Sequence, residues 1–181
     1  EQVPSVKRVA PQISSSQVVQ LGARSSTSSI SGITPEFLPV RSFEVSQGRF
    51  ITDEDVKAAR NVAVIGPDLE SKLVPTGSAV GQQLRIGNQS FQVVGVMAPK
   101  GAVFGSNQDG NTYIPLSTMV TRLTGRDPTY GVSLSFISVE AKDESSTSAA
   151  KFQITNLLRQ RHNILRDDDF AVRSQKDALS I

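Results

Sequence analysis

Residues 131–162 read GVSLSFISVEAKDESSTSAAKFQITNLLRQRH, and the period of the apolar residues changes part-way along them. Across residues 131–142 they alternate through Val132, Leu134 and Phe136, with Ile137 and Val139 marking a change of face or a bulge midway, which predicts a strand. Across residues 145–162, Ala150, Ile154, Leu157 and Leu158 fall at i, i+4, i+7 and i+8, one stripe of an α-helix. Arg159 and Arg161 lie in its last turn, where cations suit the exposed carbonyls. Residues 170–173 offer a closing strand, so the C-terminal part reads as a β-α-β group.

Upstream, the signals are shorter. Residues 18–21 and, more weakly, 26–33 favour strands with one wet face. Thr34-Pro35-Glu36 pairs a capping hydroxyl with a proline at the first helical position, predicting one turn over residues 35–38 that Pro39 ends. Thr52 caps a helix running to about Ala59, with Asp53, Glu54 and Asp55 at its positive end. Residues 61–65 (NVAVI) read as a strand stopped by Gly66-Pro67, and residues 68–74 as a helix with Leu69 and Leu73 on one face. Residues 84–86 and 91–94 alternate around Gly87-Asn88, a hairpin signal. Residues 99–111 (PKGAVFGSNQDGN) carry three glycines and little periodicity. A strand at Tyr113-Ile114 and a helix over residues 117–123 follow. The segment from about Phe43 to Tyr130 reads as a mostly β insertion with short helices, and the fold class as α+β.

The chain's 181 residues suit one domain or two small subdomains sharing a core. With 38% hydrophobic and 20% charged residues it has the composition of a folded globular protein. Lysine and arginine number 19 against 17 acids, a net +2, which is too even for the one-signed field of a nucleic-acid binder. The pI of 9.1 reflects the same small excess. No run approaches 18 apolar residues and the mean hydropathy is −0.17, so these residues do not themselves cross a bilayer. There is no cysteine, which removes disulfides, thiolate metal sites and thiol nucleophiles. The sequence begins at Glu1 and stops within a helix-like pattern, so it reads as an excised piece of a longer chain whose targeting information lies elsewhere.

Catalytic readings are weak. His162 is the only histidine and stands before Asp167-Asp168-Asp169, but no serine sits in a G-x-S-x-G elbow. A histidine at a helix end caps carbonyls by default, and three adjacent acids read as a solvated turn before a metal site. Asn107, Asp109 and Asn111 around Gly110 have some spacing of a calcium loop without its closing glutamate. Neither phosphate-binding glycine motif occurs, so these residues should not hydrolyse ATP. Asn88-Gln89-Ser90 fits a glycosylation sequon, though a tight turn explains an asparagine after glycine equally well. Phe104, with Gly101 and Gly105 near it, is either presented outward or a plug for its own loop.

Five ordered stretches resemble the periplasmic domain of MacB-like ABC transporter permeases. They are SGITPEFLPVRSFEVSQGRFITDEDV (residues 31–56), NVAVIGPDLESKLVP (61–75), VGQQLRIGNQSFQVVGVM (80–97), GAVFGS with TYIPLSTM (within 101–119), and FISVEAKDESSTSAAKFQITNLLRQRH (136–162). The resemblance implies a porter-like βαβ subdomain, residues 1–42 and 132–181, interrupted by a mostly-β, sabre-like subdomain, residues 43–131. It implies residence at the periplasmic face of the bacterial inner membrane, between transmembrane helices absent from this sequence. It further implies a dimeric permease, ATP hydrolysis in a separate cytoplasmic nucleotide-binding domain, and coupling of that cycle to a periplasmic adaptor protein. No cofactor, metal or nucleic-acid partner is implied, and the domain transmits motion without chemistry of its own. The family normally has further sequence before the point matching Glu1, so a helix and an early strand are expected to be missing. Relatives export macrolides, peptides or toxins, or extract lipoproteins. The alternatives are therefore a lipoprotein-extracting permease, an α+β hydrolase using His162, and a free-standing ligand-binding protein. The adaptor surface is placed on the insertion, with Lys100, Phe104, Asn107 and Asp109 as partner-binding residues.

Overall fold

The chain starts with a long antiparallel hairpin: β1 (Val6–Leu21) turns at Gly22, whose φ of +59° suits a residue without Cβ, into β2 (Arg24–Ile33). This is a computed structural model, and it describes residues 3–103, 106–129, 131–175 and 177. The expected wet face persists along β2 only to Ser29; Ile30 to Ile33 are buried on both sides. Then come α1 (Phe37–Arg41), β3 (Val45–Gly48), α2 (Asp53–Lys57), β4 (Val62–Ile65) and α3 (Pro67–Leu73). After these follow β5 (Gln83–Ile86), β6 (Gln89–Met97), β7 (Ala102–Val103), β8 (Ser106–Asn107) and β9 (Thr112–Pro115). The last elements are α4 (Leu116–Thr118), a π-helical segment Met119–Thr124, β10 (Phe136–Ala141) and α5 (Thr147–His162).

Among the described residues the main sheet runs β10-β1-β2-β9-β4-β6-β3, with β5 paired to both β1 and β6. The β2/β9 and β4/β6 pairs are parallel; β4/β9, β5/β6 and β1/β5 are antiparallel. Because β5 joins β6 to β1, the strands β1, β2, β9, β4, β6 and β5 close into a ring, which satisfies backbone groups that an open sheet would leave at its edges. Alternation sorts the side chains into two cores. Ala63, Ile65, Leu84, Ile86, Phe91 and Ile114 join Leu69 and Leu73 of α3 in one. Val64 and Tyr113 join Ile33, Phe37, Phe43, Ile51 and Met97 in the other. Burial in that second core pushes the Tyr113 phenol up to about 12.

By contact, the chain divides into two compact units, residues 10–138 and residues 1–9 with 139–181. In the second, α5 buries Ala150, and Gln153 accepts a bond from the Ser5 amide at 3.2 Å. Asp143 organises the entry to α5 by accepting from the Ser146 amide at 2.8 Å. Phe152 and Leu165 are largely exposed.

Several expectations change. Pro39 does not end α1 but lies within its first turn, where the missing amide hydrogen has no helical acceptor anyway. The helix ends at Ser42, which takes the left-handed conformation. The strand expected over residues 131–142 forms only from Phe136 to Ala141, since Gly131 closes a turn with Asp127 and residues 132–135 join no ladder. Residues 170–173 form no strand: no described ladder includes them, and the preceding acids are tied back to α5 through Arg159–Asp168 (2.7 Å) and His162–Asp169 (2.8 Å). The helix expected over residues 117–123 begins as α4 and continues as π-helix.

One buried charge fastens the connections around α2. Asp55 is wholly buried and accepts from Arg49 at 2.6 Å, Arg60 at 3.4 Å, and the Thr52 amide at 3.0 Å. The Asp55 amide donates in turn to the Thr52 hydroxyl at 3.3 Å, completing the capping box. Burial pulls the Asp55 carboxyl upward, but the bonds from Arg49 and Thr52 outweigh it, so its pKa lies below the usual 3.8. A depressed pKa stabilises the fold above the unfolded value and loses that contribution as pH falls through the folded one. Asp55→Asn should therefore cost about 3 kcal/mol at neutral pH, and the wild-type advantage should shrink below pH 3.8; chemical denaturation across pH checks both.

Candidate functional site

The segment from Lys100 to Asn111 holds the four partner-binding residues expected from the sequence, and it is organised at its base. β7 and β8 pair through Ala102 with Asn107 and Val103 with Ser106, and the Gln108 amide closes the hairpin on the Gly101 carbonyl at 3.0 Å. Gly101 has φ +73°, a turn geometry glycine adopts without steric cost. The Asp109 carboxylate accepts from the Lys100 amide at 2.7 Å and the Gly101 amide at 3.0 Å, holding the entering strand to the leaving one. Its own amide donates to Asn107 Oδ1 at 2.9 Å.

The hairpin base is also fastened to the core. The Asp109 carbonyl accepts from the amides of Asp68 (3.0 Å) and Leu69 (3.3 Å), satisfying first-turn donors of α3 that the helix itself leaves open. Asn107 donates to the Asp68 carboxylate at 3.0 Å, and the Gly66 amide to the Asn111 carbonyl at 2.8 Å. On the other side, the Lys100 ammonium donates to the Ser42 carbonyl that ends α1 and lies 5.2 Å from the Phe43 ring centroid. That ring belongs to a trio: Phe37 is 5.2 Å from both Phe43 and Tyr113.

The structure thus brings Lys100, Asn107 and Asp109 together, while Phe104 lies outside the described residues. The sequence reading missed Asp68, Gly66 and Ser42 as supports of the loop. Gly66-Pro67 marks a strand stop in the sequence, but Gly66 also serves the loop: a Cβ there would fall 2.1 Å from the Asp109 carbonyl oxygen. The remaining candidates lie elsewhere. His162 is half exposed, paired with Asp169 and 6.0 Å edge-on from the Phe170 ring. Asp168 is engaged by Arg159, which holds its carboxyl below the usual carboxylate range. Among the described residues no cluster of His, Asp and Glu is arranged to hold a metal. Asn88 occupies the two-residue turn between β5 and β6, as the hairpin reading predicts.

A family model described as the MacB-like periplasmic core domain matches residues 1–157. The chain belongs to this family. It is similar to the macrolide export ATP-binding/permease protein MacB of Shewanella oneidensis, 34% identical over 88% of this chain. It is likewise similar to the pyoverdine export ATP-binding/permease protein PvdT of Pseudomonas putida, 35% identical over 89% of this chain. It spans 24% of the length of each of these relatives. The solved periplasmic region of MacB from Actinobacillus actinomycetemcomitans superposes with a TM-score of 0.74 at 25% identity, over 88% of this chain and 69% of that one. The α+β class and the placement as a periplasmic domain of a MacB-like ABC permease follow from these matches. No helix among the described residues is long and apolar enough to cross a membrane.

The close approach at Gly66 makes the loop attachment testable. Gly66→Ala must push α3 and Asp109 apart and should cost about 1–3 kcal/mol, the usual cost of overpacking. Gly110→Ala, where nothing lies within 4 Å of the added Cβ, should change stability by less than about 0.5 kcal/mol. Urea midpoints of the two variants check the contrast.

Proposed function

We propose that this chain is the extracytoplasmic coupling domain of an ABC-type exporter permease. It binds a periplasmic adaptor protein and passes to it, as movement, the work of ATP hydrolysed elsewhere in the parent protein. The observation that carries the reading is the family match over residues 1–157, together with relatives named as export ATP-binding/permease proteins of which this chain spans 24%. In such a protein the chemistry belongs to the ATP-binding part, and this domain contributes a rigid frame and docking surfaces. The division into a porter-like part (residues 1–42 and 132–181) and a sabre-like part (43–131) belongs to the same proposal. So does pairing with a second permease subunit.

The adaptor site we propose lies in residues 100–111, the segment that holds Lys100, Phe104, Asn107 and Asp109. A fastened base supports the choice, because a surface already ordered before binding loses less conformational entropy when it docks. Phe104 adds to this segment an aromatic side chain, the type that dominates many interfaces. The hydrolase reading has less support: His162 and Asp169 form an exposed pair beside Phe170.

The purified chain should show no ATP turnover above buffer. In the assembled transporter, Phe104→Ala should weaken adaptor binding about tenfold or more while leaving the melting temperature unchanged. A fall in melting temperature with normal binding of the folded fraction would instead make Phe104 a packing residue and remove the hairpin from the docking surface.

A further inference from the structure

Three of the four residues assigned to the docking hairpin have polar groups already engaged within the fold. Lys100 donates through its ammonium to Ser42 and through its amide to Asp109; Asn107 bonds Asp68 and the Asp109 amide; the Asp109 carboxylate holds two backbone amides. A group that must give up such bonds to meet a partner loses on one side what it gains on the other. We propose that Asp109 is a positioning residue, not a contact residue: it locks the β7/β8 hairpin to the N-terminal end of α3, so that hairpin and helix move as one body.

Asp109 reaches two elements at once, one through its side chain and one through its backbone. Its side chain binds the amides that begin the hairpin, at 2.7 Å and 3.0 Å, and its carbonyl binds the amides that begin α3, at 3.0 Å and 3.3 Å. One residue therefore joins the hairpin to a helix whose Leu69 and Leu73 are buried in the main core. Gly66 completes the joint, since any larger residue would drive the Asp109 backbone away from α3. Lys100 supplies a second tie, from the hairpin base to the end of α1 and the ring of Phe43. With both ties made, a push on the hairpin is carried to α3 on one side and to the aromatic core on the other, and the hairpin cannot swing independently. A carboxylate suits this position because each amide it accepts forms a charge-assisted bond, stronger than a neutral one.

The inference deepens the proposed docking role of the hairpin and rests on it for its functional meaning, but its physical content is tested without a partner. In the whole 181-residue chain, amide hydrogen exchange is measured residue by residue for wild type, Asp109→Asn and Asp109→Ala. Asp109→Ala should raise exchange at Lys100, Gly101 and Gln108 about tenfold or more, with amides of β6 unchanged and the melting temperature nearly so. Asp109→Asn, which keeps one acceptor oxygen, should give an intermediate increase. Unchanged exchange at Lys100 and Gly101 in both variants overturns the lock. The same variants are then assayed for adaptor binding in the assembled transporter. Faster exchange with weakened binding supports lock and docking reading together; faster exchange with undiminished binding leaves the lock standing and removes the hairpin from the docking surface.

Discussion

The pairing of β5 with both β6 and β1 is the constraint on which the rest of the structure depends. Two bridges, Val19 with Ile86 and Gln20 with Arg85, join the first strand of the chain to a short hairpin strand more than sixty residues later. They turn a sheet into a ring. Once closed, the ring has an inside, and Val19, Leu84, Ile86 and Phe91 fill it without measurable exposure. β9 then runs fully buried between β2 and β4, parallel to one and antiparallel to the other, with Thr112 satisfied by Ser28 at 2.9 Å. The long hairpin loop ends where β9 begins, so its leaving strand is set by the core itself.

Local signals in the sequence were legible where a single element or turn decided the outcome. The N-cap at Thr52, the Gly66-Pro67 stop after β4, the Gly87-Asn88 turn and the stripe of α5 all stand close to where the residues put them. Ring closure was not legible, because periodicity within a strand says which face is buried but not which strand lies beside it. The start of β1 was hidden for a different reason: Lys7, Arg8, Pro11 and Gln12 break the apolar alternation, and the strand is held there beside β10, whose Glu140 meets both Lys7 and Arg8. Residues 170–173 failed the other way, with β-favouring side chains and no described ladder partner.

The candidate site was half legible. Three glycines and the lack of period marked residues 99–111 as a distinctive loop, and the polar residues within it drew attention. Their roles depend on groups far away in the sequence, such as the Ser42 carbonyl and the amides of Asp68 and Leu69, which no local pattern announces. A loop that looked loose by composition is therefore fixed at its base, to the end of α1 on one side and the start of α3 on the other. Force applied to an element passes on only when that element cannot relax first.

The most direct test of that account is site-specific photo-cross-linking in the assembled transporter, with the photoreactive residue at position 102 on exposed β7 and a control at position 23 on the exposed β1/β2 turn. The account predicts an adduct between position 102 and the periplasmic adaptor whose yield changes through the ATP cycle, and none from position 23. Adaptor adducts from position 23 with none from position 102 would contradict it.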